Sequence, residues 1–221
     1  MKGKIREYIF TKLRKRNLAL INYKDDRKDL FNFVKKARIK NRLGMHDCEC
    51  MQLLMAVKNT SKLGGNIAEV GVWKGGSAEL IYKIKDNRKL YLFDNFEDGI
   101  PEVSKVDDLK LRKGDYASSY TGVKEIFKNY SDVFIFKGIF PDTSKPILGK
   151  KFSFVNLDID TYKSTLDCLN FFYKRMLKGG IIISHDYNSL KGVKKAIDKF
   201  FSKKKEVILE LAGTQCLIVK L

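Results

Sequence analysis

The chain has little of what secreted or membrane-spanning proteins require. Its four cysteines form no spaced framework, which predicts reduced thiols in the cytoplasm. The longest apolar run, around residues 180–183, is far too short to span a bilayer. Residues 1–6 contain no uninterrupted apolar core, so no secretory signal is predicted. We therefore expect a cytoplasmic protein.

Two glycine motifs that bind phosphates are also absent. The sequence contains neither G-x-G-x-x-G nor G-x-x-x-x-G-K-[ST], the loops of dinucleotide and P-loop sites. The glycine loop that is present carries Gly71, Gly75 and Gly76, with the bulky Trp73 where a pyrophosphate would need a small residue. Glu69 precedes the loop and would repel a pyrophosphate. These features favour a cofactor that has no phosphates and carries positive charge.

The composition indicates a packed domain with a strongly basic surface. Of the 221 residues, 44% are hydrophobic and 12% aromatic, which is typical of a globular core. The net charge is +18, and residues 1–42 hold 15 Lys and Arg against 4 Asp and Glu. This excess is either a solvated helical surface or an attraction to an anionic partner such as a membrane, a nucleotide-sugar, a phosphorylated glycan or nucleic acid.

Hydrophobic spacing predicts a helical segment at residues 1–60 and an α/β domain at residues 61–221. Strands are predicted at 67–70, 90–94, 133–137, 152–157 and 181–184, and a closing hairpin at 206–211 and 215–219. Helices are predicted at 76–84, 118–130, 161–176 and 190–201, the third stopped by the glycines at 179 and 180. Strands that alternate with helices predict a parallel sheet covered on both faces.

Chemically active residues recur at the predicted carboxyl ends of these strands, where open α/β sheets bind ligands. They are Glu69, Gly71, Asp94, Asp158, Asp160, His185 and Asp186. Asp94 follows Gly71 by 23 residues, about the spacing at which a carboxylate meets ribose hydroxyls. S-adenosylmethionine has a ribose and cationic amino and sulfonium groups, so it fits Asp94 and Glu69.

Six motifs in order resemble the macrocin O-methyltransferase-type (TylF/MycF-like) family of class I methyltransferases over about residues 45–200. They are AEVGVWKGG (68–76), FDNFEDGIP (93–101), KGDY (113–116), FKGIFPDT (136–143), LDIDTYKST (157–165) and GGIIISHDY (179–187). The resemblance implies a Rossmann-like seven-stranded sheet with a reversed last strand. It also implies S-adenosylmethionine as methyl donor and a sugar hydroxyl as acceptor. We assign to the cofactor Glu69, Gly71, Trp73, Ser77, Asp94, Asn95 and Asp115.

The resemblance further implies a divalent metal, typically Mg²⁺, held by an acid after the fourth strand and an Asp-Asp pair after the fifth. Asp158 matches the first acid, but His185 and Asp186 occupy the pair. An imidazole ligand weakens a Mg²⁺ site and favours softer ions such as Mn²⁺ or Zn²⁺. Alternatively the metal is absent and His185 is a general base oriented by Asp158 or Asp186. A structural histidine is the third interpretation.

Asp160 has two interpretations of its own. It either caps the next helix or takes part in catalysis.

The sequence thus predicts an S-adenosylmethionine-dependent O-methyltransferase that acts on a sugar, nucleotide-sugar or glycan precursor. A nucleic-acid methyltransferase is the first alternative, but residues 158–162 read DIDTY where exocyclic-amine methylators carry [DNS]-P-P-[YF]. The second alternative is a non-catalytic cofactor-binding module that docks to a membrane or a partner protein. We expect a homo-oligomer in the cytoplasm, and peripheral attachment to the inner membrane surface through the basic N-terminus is an open alternative.

Overall fold

Seven strands form one mixed sheet in the computed structural model, which describes residues 2–15, 26–40 and 42–221. They are β1 (Asn66–Val70), β2 (Leu90–Asp94), β3 (Val133–Lys137), β4 (Phe152–Leu157), β5 (Met176–Ser184), β6 (Ile208–Glu210) and β7 (Cys216–Val219). Their spatial order is β3-β2-β1-β4-β5-β7-β6. The first five strands pair in parallel, and β7 runs antiparallel to both β5 and β6. The predicted parallel sheet with a reversed last strand is confirmed.

Helices cover both faces of this sheet, as the strand-helix alternation predicts. The described helices are α1 (Lys2–Arg14), α2 (Asp26–Ile39), α3 (Asp47–Asn59), α4 (Gly76–Ile84), α5 (Tyr120–Phe127), α6 (Tyr162–Phe172) and α7 (Lys191–Phe201). Apolar side chains of α2 to α5 pack in one cluster on one face, and those of α6 and α7 pack in a second cluster on the other. Each cluster takes alternate residues of the strands, because successive strand side chains point to opposite faces.

The third predicted helix and the fifth predicted strand had wrong boundaries. The helix ends at Phe172, followed by a short 3-10 turn (Tyr173–Arg175), and β5 begins at Met176, five residues earlier than predicted. Met176 pairs with Phe152, and the register then shifts before Phe154 pairs with Ile181. The adjacent glycines at 179 and 180 therefore form a bulge inside a strand, where the sequence suggested a helix stop.

The N-terminal segment is not helical throughout. Residues 42–46 form an irregular link between α2 and α3, while residues 1, 16–25 and 41 lie outside the described part of the chain. Leu30 and Val34 of α2 and Met51 of α3 are buried in the same cluster as Ile67 of β1. The predicted boundary between residues 60 and 61 therefore passes through a shared core.

No helix within residues 2–15, 26–40 and 42–221 is long and apolar enough to cross a membrane.

Gly71 lets the end of β1 come close to the end of β4. Its φ is +87°, and a Cβ built on it would lie 1.8 Å from the carbonyl oxygen of Asp158. The Gly71 N–H donates to the carbonyl of Phe93 on β2, and the Asp158 N–H donates to the carbonyl of Val70. The ends of three parallel strands are thereby held together, which positions the side chains that follow each strand.

We expect Gly71→Ala to destabilise the protein by more than about 2 kcal/mol. The left-handed backbone at residue 71 alone costs a residue with a side chain roughly 1–2 kcal/mol, and the added methyl group would also clash with a backbone atom. Urea unfolding followed by circular dichroism measures this loss. Gly149→Ala is the matched control, since nothing lies within 4 Å of its added methyl group, and it should change stability by less than about 0.5 kcal/mol. Equal stabilities for the two variants would contradict the role of Gly71.

Candidate active site

A cavity of about 310 Å³ opens at the carboxyl ends of β1, β2, β4 and β5, a volume within the range of small-molecule sites. Six of the seven residues assigned to the cofactor line it, together with the four acidic or histidine residues that follow β4 and β5. These ten are Gly71, Trp73, Ser77, Asp94, Asn95, Asp115, Asp158, Asp160, His185 and Asp186. The structure therefore brings the predicted site residues to one place, with Glu69 as the exception.

Glu69 lies beneath the cavity rather than on its wall. It is fully buried in β1, and one carboxylate oxygen accepts a hydrogen bond of 2.8 Å from Nδ2 of Asn156 on β4. Burial raises the pKa of Glu69 to about 8, against hydrogen bonds from Ser77 and Asn156 that lower it. Ser77, which lines the cavity, hydrogen-bonds to the carboxylate of Glu69. The other oxygen of the carboxylate, Oε2, is buried and has no hydrogen-bond partner among the described residues, so the predicted contact of Glu69 with a cationic cofactor stays a prediction.

Asp94 fastens two loops with one carboxylate. Oδ2 accepts hydrogen bonds from the backbone N–H groups of Val72, at 2.6 Å, and Trp73, at 2.8 Å. Oδ1 accepts from the N–H of Phe96 at 2.5 Å. Burial raises the pKa of Asp94, although these three hydrogen bonds oppose the rise. A carboxylate has about four acceptor positions, so Asp94 can still accept a hydrogen bond from a ligand in the cavity.

His185 is surrounded by three carboxylates at the opposite side of the cavity. Its Nδ1 lies 2.7 Å from Oδ2 of Asp186 and 3.2 Å from Oδ1 of Asp158. Its Nε2 lies 3.3 Å from Oε2 of Glu49, a residue of α3. Burial alone would lower the pKa of His185, but the three acids raise it far above its usual value. An imidazole held as a cation has no lone pair for a hydroxyl proton, so this geometry does not favour His185 as the general base.

The cluster of Asp158, His185 and Asp186 also fits a divalent cation. One ligand atom from each residue lies within 4.8 Å of the others. Neighbouring ligands of an octahedral ion with bonds of about 2.1 Å are separated by about 3 Å. The separations of 2.7 and 3.2 Å from Nδ1 to the two carboxylates agree with that edge length. These residues would hold a cation through two oxygens and one nitrogen.

Asp160 does not cap the following helix. Thr161 occupies the N-cap position of α6, and Oδ1 of Asp107 accepts a hydrogen bond from the N–H of Tyr162. The Asp160 side chain lines the cavity instead. Burial, followed by the charges of Asp158 and Asp186, raises the pKa of Asp160 to about 8. A carboxyl group that titrates near neutral pH inside a ligand cavity is a candidate for general-base catalysis.

The cavity wall contains four non-glycine residues with left-handed backbone conformations. Their φ angles are +48° at Trp73, +58° at Tyr116, +51° at Asp160 and +61° at Asp186. Such residues are uncommon and concentrate at functional sites. All four residues lie in the loops that follow β1, β2, β4 and β5.

Two site residues escaped the sequence analysis. Arg42 lines the cavity from the link between α2 and α3, where it was one basic residue among many. Glu49 contacts His185 across 136 residues of sequence, and a glutamate in a helical pattern gives no indication of such a contact. Tyr187, which follows Asp186, is buried and donates a hydrogen bond of 2.6 Å to Asp198.

The strand order, the reversed β7 and a cavity at the carboxyl ends of β1, β2, β4 and β5 define the fold of a class I methyltransferase. The family model of macrocin-O-methyltransferase (TylF) matches residues 31–212, and the chain belongs to that family. The predicted family is therefore confirmed, and the match begins within α2, before the boundary predicted at residue 60.

Among curated relatives, the chain is 30% identical over 156 residues to demethyldecarbamoylnovobiocin O-methyltransferase of Streptomyces niveus, covering 63% of this chain and 59% of that protein. It is 28% identical over 141 residues to mycinamicin III 3''-O-methyltransferase of Micromonospora griseorubida, covering 56% and 55%. The chain thus spans about three fifths of the length of the relatives it matches. The solved structure of the O-methyltransferase NovP superposes with a TM-score of 0.68 at 24% identity, covering 81% of this chain and 82% of that one.

Replacing Asp160 by Asn should stabilise the protein relative to wild type as the pH rises. The pKa of Asp160 is about 8 in the folded protein and about 3.9 in an unfolded chain, so folding favours its protonated form. Ionisation therefore lowers stability between about pH 4 and about pH 8, and an amide removes that loss.

Urea unfolding at about pH 5 and about pH 8 measures the difference between Asp160→Asn and wild type. Asp98→Asn, at an exposed position, is the control and should show no pH-dependent gain. A difference for Asp160→Asn that stays constant with pH would mean that the carboxyl group titrates normally.

Proposed function

We propose that this chain transfers a methyl group from S-adenosylmethionine to a hydroxyl of a sugar-containing acceptor. The observation that carries this proposal is the arrangement of the cavity. A glycine loop fastened by Asp94 lies on one side, and a carboxyl group with a pKa near neutral, Asp160, lies beside a candidate cation site on the other. The glycine loop suits a phosphate-free nucleoside, and the carboxyl group beside the candidate cation site suits an acceptor hydroxyl.

The relatives support a sugar as the class of acceptor. One is named as a 4'-O-methyltransferase of a rhamnosyl-tetracenomycin C, from Streptomyces olivaceus, and is 28% identical over 161 residues. Because this chain belongs to the same family, we propose a sugar hydroxyl as its acceptor as well. The net charge of +18 further favours an anionic form of the acceptor, such as a nucleotide-sugar, since opposite charge speeds encounter. Attachment to a membrane surface and self-association stay predictions.

In the proposed reaction, the acceptor oxygen attacks the methyl carbon as the carbon–sulfur bond breaks, and S-adenosylhomocysteine leaves. The carboxylate of Asp160 takes the hydroxyl proton, because it lines the cavity and titrates near neutral pH. Positioning supplies most of the remaining rate, since the sulfonium is already a good leaving group. A cation held by Asp158, His185 and Asp186 would orient the hydroxyl and lower its pKa.

Methyl transfer to a panel of nucleotide-sugars and sugar glycosides, followed by mass spectrometry, tests the activity. We expect wild type to methylate at least one of them, and its rate to rise with pH until Asp160 is ionised. Asp160→Asn should lower kcat by about 100-fold or more and flatten this rise, with little change in cofactor affinity. Turnover of RNA or DNA with no sugar acceptor methylated would overturn the proposal.

Asp94→Ala tests the cofactor assignment by calorimetry with S-adenosylhomocysteine. The change removes a ligand acceptor and releases the N–H groups of Val72 and Trp73 from their shared partner. We expect the affinity to fall at least tenfold, the loss of about one charged hydrogen bond. An unchanged affinity would show that the ribose is held elsewhere.

Arg42 is our candidate for the partner of the cofactor carboxylate. Its Nη1 is buried and forms no hydrogen bond with any described residue, and its nearest acid, Oε2 of Glu79, is 3.5 Å away. Lys40 already pairs with the other oxygen of Glu79 at 2.6 Å. Arg42 therefore brings a spare donor to a cavity whose charged lining is mostly acidic.

Arg42→Gln should weaken S-adenosylmethionine about 10- to 100-fold, the contribution of a hydrogen bond to a charged group. Binding of decarboxylated S-adenosylmethionine, which lacks the carboxylate, should be unchanged. Lys40→Gln is the control, since Lys40 shares Glu79 but does not line the cavity. Equal losses for both ligands would assign Arg42 to packing rather than to carboxylate recognition.

A further inference from the structure

Glu49 joins three distant parts of the chain beneath the cavity. It is fully buried in the first turn of α3. Oε1 accepts hydrogen bonds from the backbone N–H of Thr214, at 2.7 Å, and from the Thr214 hydroxyl, at 2.9 Å. Oε2 accepts from the N–H of His46 at 2.7 Å and lies 3.3 Å from Nε2 of His185. Hydrogen bonds from His185, Thr214 and His46 offset burial and lower the pKa of Glu49 to about 2.

Two of these contacts have a structural explanation. The bond from His46 is half of a capping box at the start of α3, and the bonds from Thr214 fix the turn between β6 and β7. Neither explains the contact with His185. Because carboxylates can only accept, Nε2 donates to Glu49, and Nδ1 donates to Asp186 while no cation is bound. Nδ1 is the ring nitrogen turned toward both Asp158 and Asp186, so a cation held there would displace its proton.

We propose that Glu49 is a positioning residue that holds the Nε2 proton of His185, so that Nδ1 is the nitrogen left to bind a divalent cation shared with Asp158 and Asp186. This inference rests on the proposed function, since the cation would orient the acceptor hydroxyl. A carboxylate behind a metal-bound imidazole fixes the tautomer and raises the basicity of the ligating nitrogen.

Glu49 also restores charge that the histidine removes. An Asp-Asp pair after β5, together with Asp158, would surround a cation with three negative charges, whereas His185 leaves two. The buried carboxylate of Glu49 adds the third from behind the ring, at 3.3 Å from Nε2. The nitrogen ligand then favours Mn²⁺ over Mg²⁺, since affinity for nitrogen donors rises from hard to softer divalent ions.

Calorimetry of the protein without cofactor, titrated with Mn²⁺ or Mg²⁺ alone, tests the proposal. We expect wild type to bind Mn²⁺ more tightly than Mg²⁺. Glu49→Gln, which keeps the size of the side chain and a helix-capping group, should weaken Mn²⁺ by about 10- to 100-fold. Its single acceptor oxygen can no longer serve both His185 and Thr214.

Thr214→Val is the matched control for the structural role of Glu49. It removes the hydroxyl bond to Oε1 and leaves Oε2 free to hold His185. We expect Thr214→Val to lower the melting temperature while Mn²⁺ affinity stays within about twofold of wild type. Equal Mn²⁺ affinities in Glu49→Gln and wild type would overturn the proposal.

The tautomer itself can be observed, because the chain has only two histidines. In protein labelled with ¹⁵N at histidine and loaded with diamagnetic Zn²⁺, we expect His185 to keep its proton on Nε2 and to show a metal-shifted Nδ1, with His46 as the internal reference. A metal-shifted Nε2, a proton on Nδ1, or no metal binding to wild type would overturn the proposal without any variant. Binding of S-adenosylmethionine, measured separately, shows whether the proposed function survives that outcome.

Discussion

Three backbone N–H groups that converge on the carboxylate of Asp94 hold the cavity in shape. Two come from the loop after β1 and one from the loop after β2, so a single side chain fixes the relative position of both. This arrangement requires a glycine at position 71, because any side chain there would collide with the end of β4. The loops form a wall whose donors and acceptors are already oriented before a ligand arrives, which reduces the ordering cost of binding.

The distribution of charge within the cavity is the main electrostatic problem of the fold. Asp94, Asp158, Asp160 and Asp186 share one small space, in a chain whose net charge is +18. Acids this close cannot all be ionised without compensation. On one side His185 supplies the positive charge, as an imidazolium or as a ligand of a bound cation. On the other, a sulfonium ligand would supply it, and Asp160 retains its proton until neutral pH.

The sequence was sufficient to predict the sheet and most of the cavity wall, for a specific physical reason. Parallel strands bring their carboxyl ends to one edge, so residues such as Asp94 and Asp158, which follow buried runs, had to lie near one another. The position of Glu69 could not be predicted in this way. Successive side chains of a strand alternate between its two faces, and this alternation decides whether the last residues face the cavity or the core. Likewise, the glycines at 179 and 180 are compatible with both a helix stop and a bulge, and only the pairing of Met176 with Phe152 distinguishes these.

The contacts that could not be predicted are those made by the helical segment before β1. Arg42 lines the cavity from an irregular link, and Glu49 contacts His185 from a largely apolar helix, and neither sequence gives a sign of these contacts. Their positions depend on how α2 and α3 pack against α4 and the sheet, which is set by buried apolar side chains such as Leu43 and Met45. Contacts between residues far apart in the chain carry no local signature, so they emerge only from the assembled core.

The left-handed residues around the cavity have a consequence for engineering. Each of Trp73, Tyr116, Asp160 and Asp186 adopts a backbone conformation that costs a non-glycine residue roughly 1–2 kcal/mol. A selection for thermal robustness alone would thus replace them with glycine or asparagine, which tolerate that conformation better. Libraries screened only for heat resistance are therefore expected to lose ligand binding at this cavity. A screen for ligand binding has to be run in parallel to retain it.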